Sequence, residues 1–288
     1  MLNLWDRQLN LLNGTSIPYR NLTIPACTPC NNVILSKLEN ELAASLPGGA
    51  GKVRALGHET LFVWLAKIFF GILYAEALLP INRALIGSGP IVPPNVLQGF
   101  DHLHFLMQAA RVSFEFQSPD TKYHSTVLVF PVQQHPRPEH RFNYHDDIEY
   151  GCAAIRVDTI GLIYVADGGV QERVMAETMP AVFHHHLHPL QFEEIAAGVF
   201  TKARSLNRTP KYISSKRDGG VLLLQMPIAG MSTKPIFGEF DRDTYVRMLA
   251  AFTNMPLEVI SPGAGKVMTW LGDPQRPNVI DVREKPWP

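Results

Sequence analysis

Ala153-Ala154-Ile155-Arg156-Val157 and Thr159-Ile160-Gly161-Leu162-Ile163-Tyr164-Val165-Ala166, followed by Asp167-Gly168-Gly169, decide the fold class. Both runs are rich in β-branched and aromatic residues, which fit a pleated surface, and the Asp-Gly-Gly that follows is a turn signal. Two earlier runs share this character, Arg111 to Phe116 and Ser125 to Val132. Together the four runs predict an antiparallel sheet. Helical spacing lies on either side. Upstream, helices are expected over Asn31–Ser45, His58–Leu79 and Asn95–Ala110, the first with an Asn N-cap ahead of Val33, Leu35 and Leu38. Downstream, His188–Leu206 places Phe192, Ile195, Ala196, Val199 and Phe200 on one side of a helix. Gly220–Pro227 reads as a buried strand and Asp241–Phe252 as a further helix. Asp273–Pro288, rich in Pro and charge, reads as a surface tail. The expected class is therefore α+β: N-terminal loop and helices, then an antiparallel sheet with packed helices.

The chain has 288 residues, 46% of them hydrophobic, enough for a sizeable core. Lys plus Arg and Asp plus Glu both number 26. That balance supplies no general attraction to nucleic acid or anionic membrane, so any such binding needs a local patch. Three cysteines, Cys27, Cys30 and Cys152, do not make a disulfide framework. Met1 to Asp6 lacks the basic and apolar regions of a signal peptide, so a cytoplasmic location is expected. Leu61 to Leu79 approaches the length of a membrane span, but Lys67 near its middle and Glu76 near its end favour a core helix without membrane insertion. A buried Lys67 then needs a carboxylate or carbonyl partner.

Cys27-Thr28-Pro29-Cys30-Asn31-Asn32 carries the strongest chemical signal. Two thiolates at this spacing can grip one zinc ion from a tight turn, which Pro25 and Pro29 would stiffen. A structural zinc needs four ligands, and no second CxxC occurs. A pair of unmetallated thiols is the equal alternative. A redox pair suits a helix N-terminus, but the chain lacks a thioredoxin-like βαβ pattern.

The stretch Ile24-Pro25-Ala26-Cys27-Thr28-Pro29-Cys30-Asn31-Asn32, with Leu35-Ser36-Lys37-Leu38-Glu39 after it, resembles the second half of an HNH endonuclease domain. In that family a CxxCN turn leads into the helix of a ββα-metal fold. The resemblance covers about the first 45 residues. It implies a partial HNH-like segment over 1–46 and an α+β body over 47–288, helical at 58–110 and mixed from 111. It implies that Cys27 and Cys30 form the second zinc-ligand pair, and that Asn31 opens the helix. The family's other CxxC and its catalytic His find no match, since the first histidine is His58. The chain is therefore expected to be inactive alone, to bind zinc only when a partner protein or upstream segment supplies two ligands, and to use a second divalent metal only in an assembled site. DNA is the implied partner. The body loosely resembles uncharacterised bacterial and phage proteins with such a front end, including Phe62–Phe69 and His188–Phe192.

Other candidates carry weaker signals. His184-His185-His186 and His188 are dense, yet consecutive side chains fan apart and a polar turn explains them. His102 and His104 cannot share a helix face. His145-Asp146-Asp147 offers metal-ligating atoms but reads as a loop between strands. Lys202, Arg204, Arg208, Lys211, Lys216 and Arg217 form a basic run without an acid, with Tyr212 interleaved. With Asn31, the first four are candidate nucleic-acid contacts, while a solvated helix end is the favoured explanation. Gly263-Ala264-Gly265-Lys266-Val267 fails as a P-loop, because it lacks the first glycine and the hydroxyl after the lysine. Three functions follow: an HNH-related nucleic-acid-processing protein, a non-catalytic interaction or regulatory protein, and an enzyme of unrecognised type using the β-rich region.

Overall fold

The computed structural model describes residues 6–21, 27–178, 180–230, 232–263 and 265–271. Its strands are β1 (Gln8–Asn10), β2 (Ser16–Pro18), β3 (Ser113–Gln117), β4 (Thr126–Pro131), β5 (Phe142–Asp147), β6 (Cys152–Val157), β7 (Ile160–Val165), β8 (Tyr212–Arg217) and β9 (Gly220–Gln225). Its α-helices are α1 (Ser36–Ser45), α2 (Gly49–Arg54), α3 (His58–Leu78), α4 (Pro94–Gln98), α5 (Asp101–Leu106), α6 (Val170–Thr178), α7 (Pro189–Arg204), α8 (Arg242–Thr253) and α9 (Leu257–Ile260). The fold is α+β, with antiparallel strands packed against helices.

The central sheet has the order β4-β7-β6-β5, antiparallel throughout. Side chains alternate faces along each strand. Val127, Val129, Ile155, Leu162 and Tyr164 point to one side and join Leu61, Phe62, Leu65 and Phe69 of α3. Leu128, Phe130, Ala154, Ile163 and Val165 point to the other and join Phe192, Ile195, Val199 and Phe200 of α7. Both faces are covered, so β4, β6 and β7 are apolar at nearly every position instead of alternating. Each large side chain buried this way contributes about 1.5–3 kcal/mol. Helix α7 comes very close to the sheet at Gly161, where a Cβ would sit 2.4 Å from the Phe192 ring. Helix α8 packs on α7 from outside.

Several expectations need correction. Strand β3 does not join the central sheet; it pairs in parallel with β9, Ser113 opposite Gly220, in a second sheet ordered β3-β9-β8. Strand propensity is local, whereas a parallel partner arrives through a long crossover that propensity cannot register. Its alternating pattern of exposed and half-buried residues sets β3 apart from the fully buried β4. His145-Asp146-Asp147 lies in edge strand β5, not a loop, because these polar residues find partners described below. The second half of the basic run is strand β8, not a helix end. The N-terminal segment read as loop contains the β1–β2 hairpin. The helix expected over Asn95–Ala110 breaks at Gly99 into α4 and α5 and ends in a 3-10 turn. Asn31 is not an N-cap: it lies inside a π-helical turn, Cys30–Leu35, that runs into α1. The stretch after Asp167-Gly168-Gly169, which carries no clear pattern in sequence, is helix α6.

Helix α3 is long and apolar enough to cross a membrane, but most of it is buried inside the protein as a core helix. Lys67 finds the required carboxylate in Glu39 of α1, whose other oxygen accepts the Trp64 indole N–H at 3.4 Å. Leu38 and Leu42 of α1 enter the same core as α3. Asp273–Pro288, Ile24, Pro25 and Ala26 lie outside the described residues.

Candidate metal centre

Gly57, at φ 86°, takes a backbone conformation that only glycine adopts easily, and it starts α3 with His58 and Glu59 in the first turn. His124 stands two residues before β4. The start of β4 is tied to the start of α6 by buried Asp167, which accepts from Thr126 N and Oγ1 at 3.1 and 2.8 Å, Gly169 N at 3.0 Å and Gln171 N at 3.0 Å. Burial still pushes Asp167 up to about 6. The same joint sets Glu172, which accepts Val127 N–H at 3.1 Å and stands 3.7 Å from His58 Nε2.

His58, Glu59 and His124 each offer a ligand atom within 4.8 Å of the others. His58 Nε2 lies 2.8 Å from the Ser125 carbonyl. A carbonyl only accepts, so this nitrogen carries the hydrogen. Burial, reinforced by neighbouring His124, lowers the His58 pKa to about 4 and keeps the ring neutral. Its Nδ1 therefore bears a lone pair, and that atom is buried without a hydrogen-bond partner. His124 repeats the arrangement. Its Nε2 pairs with Glu59 Oε2 at 3.1 Å, while its Nδ1 is buried and unpartnered. Glu59 Oε1 is the third such atom. Leaving a buried polar atom unsatisfied costs about 1–3 kcal/mol, so one on each of three neighbouring side chains calls for an explanation.

Aromatic rings hold the imidazoles. Tyr123 stacks on His58 with centroids 3.9 Å apart and planes 2° from parallel. Phe62 and Phe116 meet His124 edge-on. Tyr212 donates its hydroxyl to the His124 carbonyl at 2.8 Å. A tetrahedral ion bonded at about 2.0–2.1 Å would need its ligand atoms about 3.4 Å apart, so these side chains would have to rotate to hold one.

Two cavities meet these residues. One of about 610 Å³ has His124 and Ser125 on its wall with His102, Tyr164, Arg208 and Tyr212. The other, about 420 Å³, has His58 and Glu172 with Arg54, Tyr123 and His184. Burial raises Glu172 to about 7, against the hydrogen bond from Val127 that lowers it, so this carboxyl changes protonation near neutrality.

No family model, curated protein or solved structure matches this chain. Function must therefore be argued from the site.

The residues singled out in sequence lie elsewhere. Cys27 and Cys30 come together at a helix start. Among the described residues, no third His, Cys, Asp or Glu joins them to form a ligand group. Asn31 is exposed and donates to Asn32 at 3.2 Å. Lys202 sits over the Phe237 ring at 4.7 Å, Arg204 pairs with Asp147 at 2.8 Å and Glu149 at 3.4 Å, and Arg208 donates to the carbonyls of Ile228 and Lys234. Lys211 and Lys216 are exposed. The basic run is thus divided between internal contacts and solvent. His145, Asp146 and Asp147 do not converge on one point: they pair separately with Glu193, Tyr144 and Arg204. His184, His185 and His186 are exposed, while buried His188 caps α7, its Nδ1 accepting Leu190 N–H at 3.2 Å. His102 stacks on Tyr212 and His104 on Phe70.

The sequence reading missed His58, Glu59 and His124. His124 is 66 positions from His58, so no spacing rule connects them. The one available signal is His-Glu opening a helix that is otherwise almost wholly apolar.

Proposed function

We propose that this protein is a metal-dependent hydrolase whose ion is held by His58, Glu59 and His124. The observation that carries the reading is the convergence of three side chains whose ligand atoms lie within 4.8 Å of one another, two of them imidazoles that each keep a buried ring nitrogen without a partner. Two His and one Glu form the donor set of catalytic zinc sites, which keep a fourth position for water. Held by these residues, such an ion would supply activation of a water molecule near neutral pH. Glu172 is placed to exchange a proton near the same pH. The larger cavity, with His124 on its wall, offers room for substrate among mostly apolar and aromatic side chains. We place the protein in the cytoplasm.

The test is hydrolysis of p-nitrophenyl acetate and bis(p-nitrophenyl) phosphate by chain stripped with chelator and reloaded with zinc, manganese or magnesium. Metal-restored turnover that His124→Ala removes supports the reading. Turnover absent with every metal, or unchanged in His124→Ala, contradicts it.

A second reading, an HNH-related nucleic-acid-processing protein, is favoured by one observation. The β1–β2 hairpin, the Cys pair and a helix follow one another in the order the resemblance implies. In that reading a partner or upstream segment completes a structural zinc site with Cys27 and Cys30, and DNA is the substrate. Magnesium- or manganese-dependent cleavage of DNA once that segment is supplied, and not without it, is its test.

A further inference from the structure

We propose that Cys27 and Cys30 form a thiol–disulfide exchange pair, with Cys27 the attacking sulfur, Cys30 the resolving sulfur, and a small-molecule disulfide such as glutathione disulfide the co-reactant. The inference is independent of the metal centre and uses residues that centre leaves idle.

Local geometry carries it. Residues 28–45 are continuously helical, and Cys27 stands just before them. The Cys27 carbonyl accepts Asn31 N–H at 2.9 Å, the first bond of the helix. Its sulfur accepts Cys30 N–H at 3.2 Å, the place an N-cap oxygen ordinarily takes. Three residues apart at the first turn of the helix, the two cysteine side chains are near enough to act on one another. Cys27 is exposed and Cys30 half-buried, which suits an attacking and a resolving group.

Electrostatics separate the two thiols. The Cys30 thiol and backbone N–H, together with the charge of Arg111, draw Cys27 below the usual thiol range. Donating to Cys27 pushes Cys30 up. Cys27, exposed and with its sulfur accepting the Cys30 N–H, is the sulfur that an incoming disulfide meets first. Cys152 does not compete, because burial raises its thiol far above the ordinary value. The described residues do not form a thioredoxin-like βαβ arrangement around the pair, but chemistry resides in the site and not in the surrounding architecture.

The reaction balances. Cys27 thiolate attacks one sulfur of RSSR, forming a Cys27–SR mixed disulfide and releasing RS⁻. Cys30, deprotonated to solvent, attacks the Cys27 sulfur and releases the second RS⁻. The net change is two protein thiols plus RSSR giving one protein disulfide plus two RSH. The protein is oxidised by two electrons and the small disulfide is reduced by two.

The experiment exposes the reduced full chain to glutathione redox mixtures, quenches with a maleimide and measures intact mass. Wild type is expected to lose the mass of two hydrogens, with an oxidised fraction that follows the glutathione ratio. Cys30→Ser is expected to stop at one glutathione adduct on Cys27. Cys27→Ser is expected to form an adduct on Cys30 about tenfold more slowly. Three results would overturn the proposal: wild type collecting an adduct without closing, equal rates in the two variants, or zinc on the purified chain that must be stripped before either thiol alkylates.

Discussion

Two His–Glu pairs lie on opposite faces of the central sheet, and they are built differently. On the α7 face, His145 Nε2 meets Glu193 Oε2 at 3.0 Å, while Glu193 Oε1 accepts Asn143 Nδ2 at 2.9 Å and faces Arg156 Nε at 3.5 Å. His145 is covered by the ring of Phe252, 4.0 Å away. Burial alone would raise Glu193, but His145, Arg156 and Asn143 outweigh it and hold the carboxyl below its usual range. On the α3 face, His124 meets Glu59 at 3.1 Å, yet both histidines and Glu59 keep a buried polar atom without a partner. The first pair is saturated and serves the fold. The second keeps polar atoms that no protein group uses.

The largest effect is expected where the saturated pair is broken. Glu193→Ala leaves Arg156, itself buried, without its carboxylate, and should cost about 3–5 kcal/mol in urea unfolding. Zinc affinity of the folded protein should be unchanged. At the unsaturated pair the expectation inverts. His124→Ala should weaken zinc binding by about a hundredfold in calorimetry, while His145→Ala leaves it intact. A zinc affinity that follows His145 and not His124 would erase the distinction between the two faces.

Gly161→Ala tests the α7 face through packing alone. A methyl group would press on the Phe192 ring, and the expected cost is about 1–3 kcal/mol in denaturant unfolding. Metal affinity again stays constant.

The smallest effect is in pH. His58 takes its proton in the folded state only near pH 4, whereas the unfolded chain takes it near the ordinary value of about 6.5. As pH falls through that window the unfolded state binds more protons, so stability declines. Glu172 acts in the opposite sense. Its folded carboxyl holds a proton up to about 7, so its contribution is lost as pH rises from the ordinary carboxylate value through 7. Stability profiles of the metal-free protein should therefore lose acid sensitivity in His58→Gln and neutral-range sensitivity in Glu172→Gln. A His58→Gln profile that overlays the wild type between pH 4 and about 6.5 would contradict the buried, neutral state of that ring.

Much of the scaffold was legible and little of the site. Continuous apolar runs marked β4, β6 and β7, and the spacing of Phe192, Ile195 and Val199 marked α7, because burial on known faces dictates residue type. The need of Lys67 for a carboxylate was also legible, though not that Glu39 meets it. Strand β5 was hidden because Asn143, His145 and Asp147 are polar, and their partners, Glu193 and Arg204, come from distant α7. The parallel pairing of β3 with β9 left no local trace. The cysteines drew attention through close spacing, while His58 and His124 are joined only by the packing of α3 against the start of β4. Spacing reveals sites built within one turn of chain, not those assembled by the fold.

The central claim is tested most directly by zinc stoichiometry on the chelator-stripped, refilled full chain, comparing Cys27→Ser/Cys30→Ser with His58→Ala/His124→Ala. The account predicts one tightly bound ion per chain in the wild type and the cysteine variant, and none in the histidine variant. An ion retained by the histidine variant and lost with the cysteines, or none bound to the wild type, would contradict it.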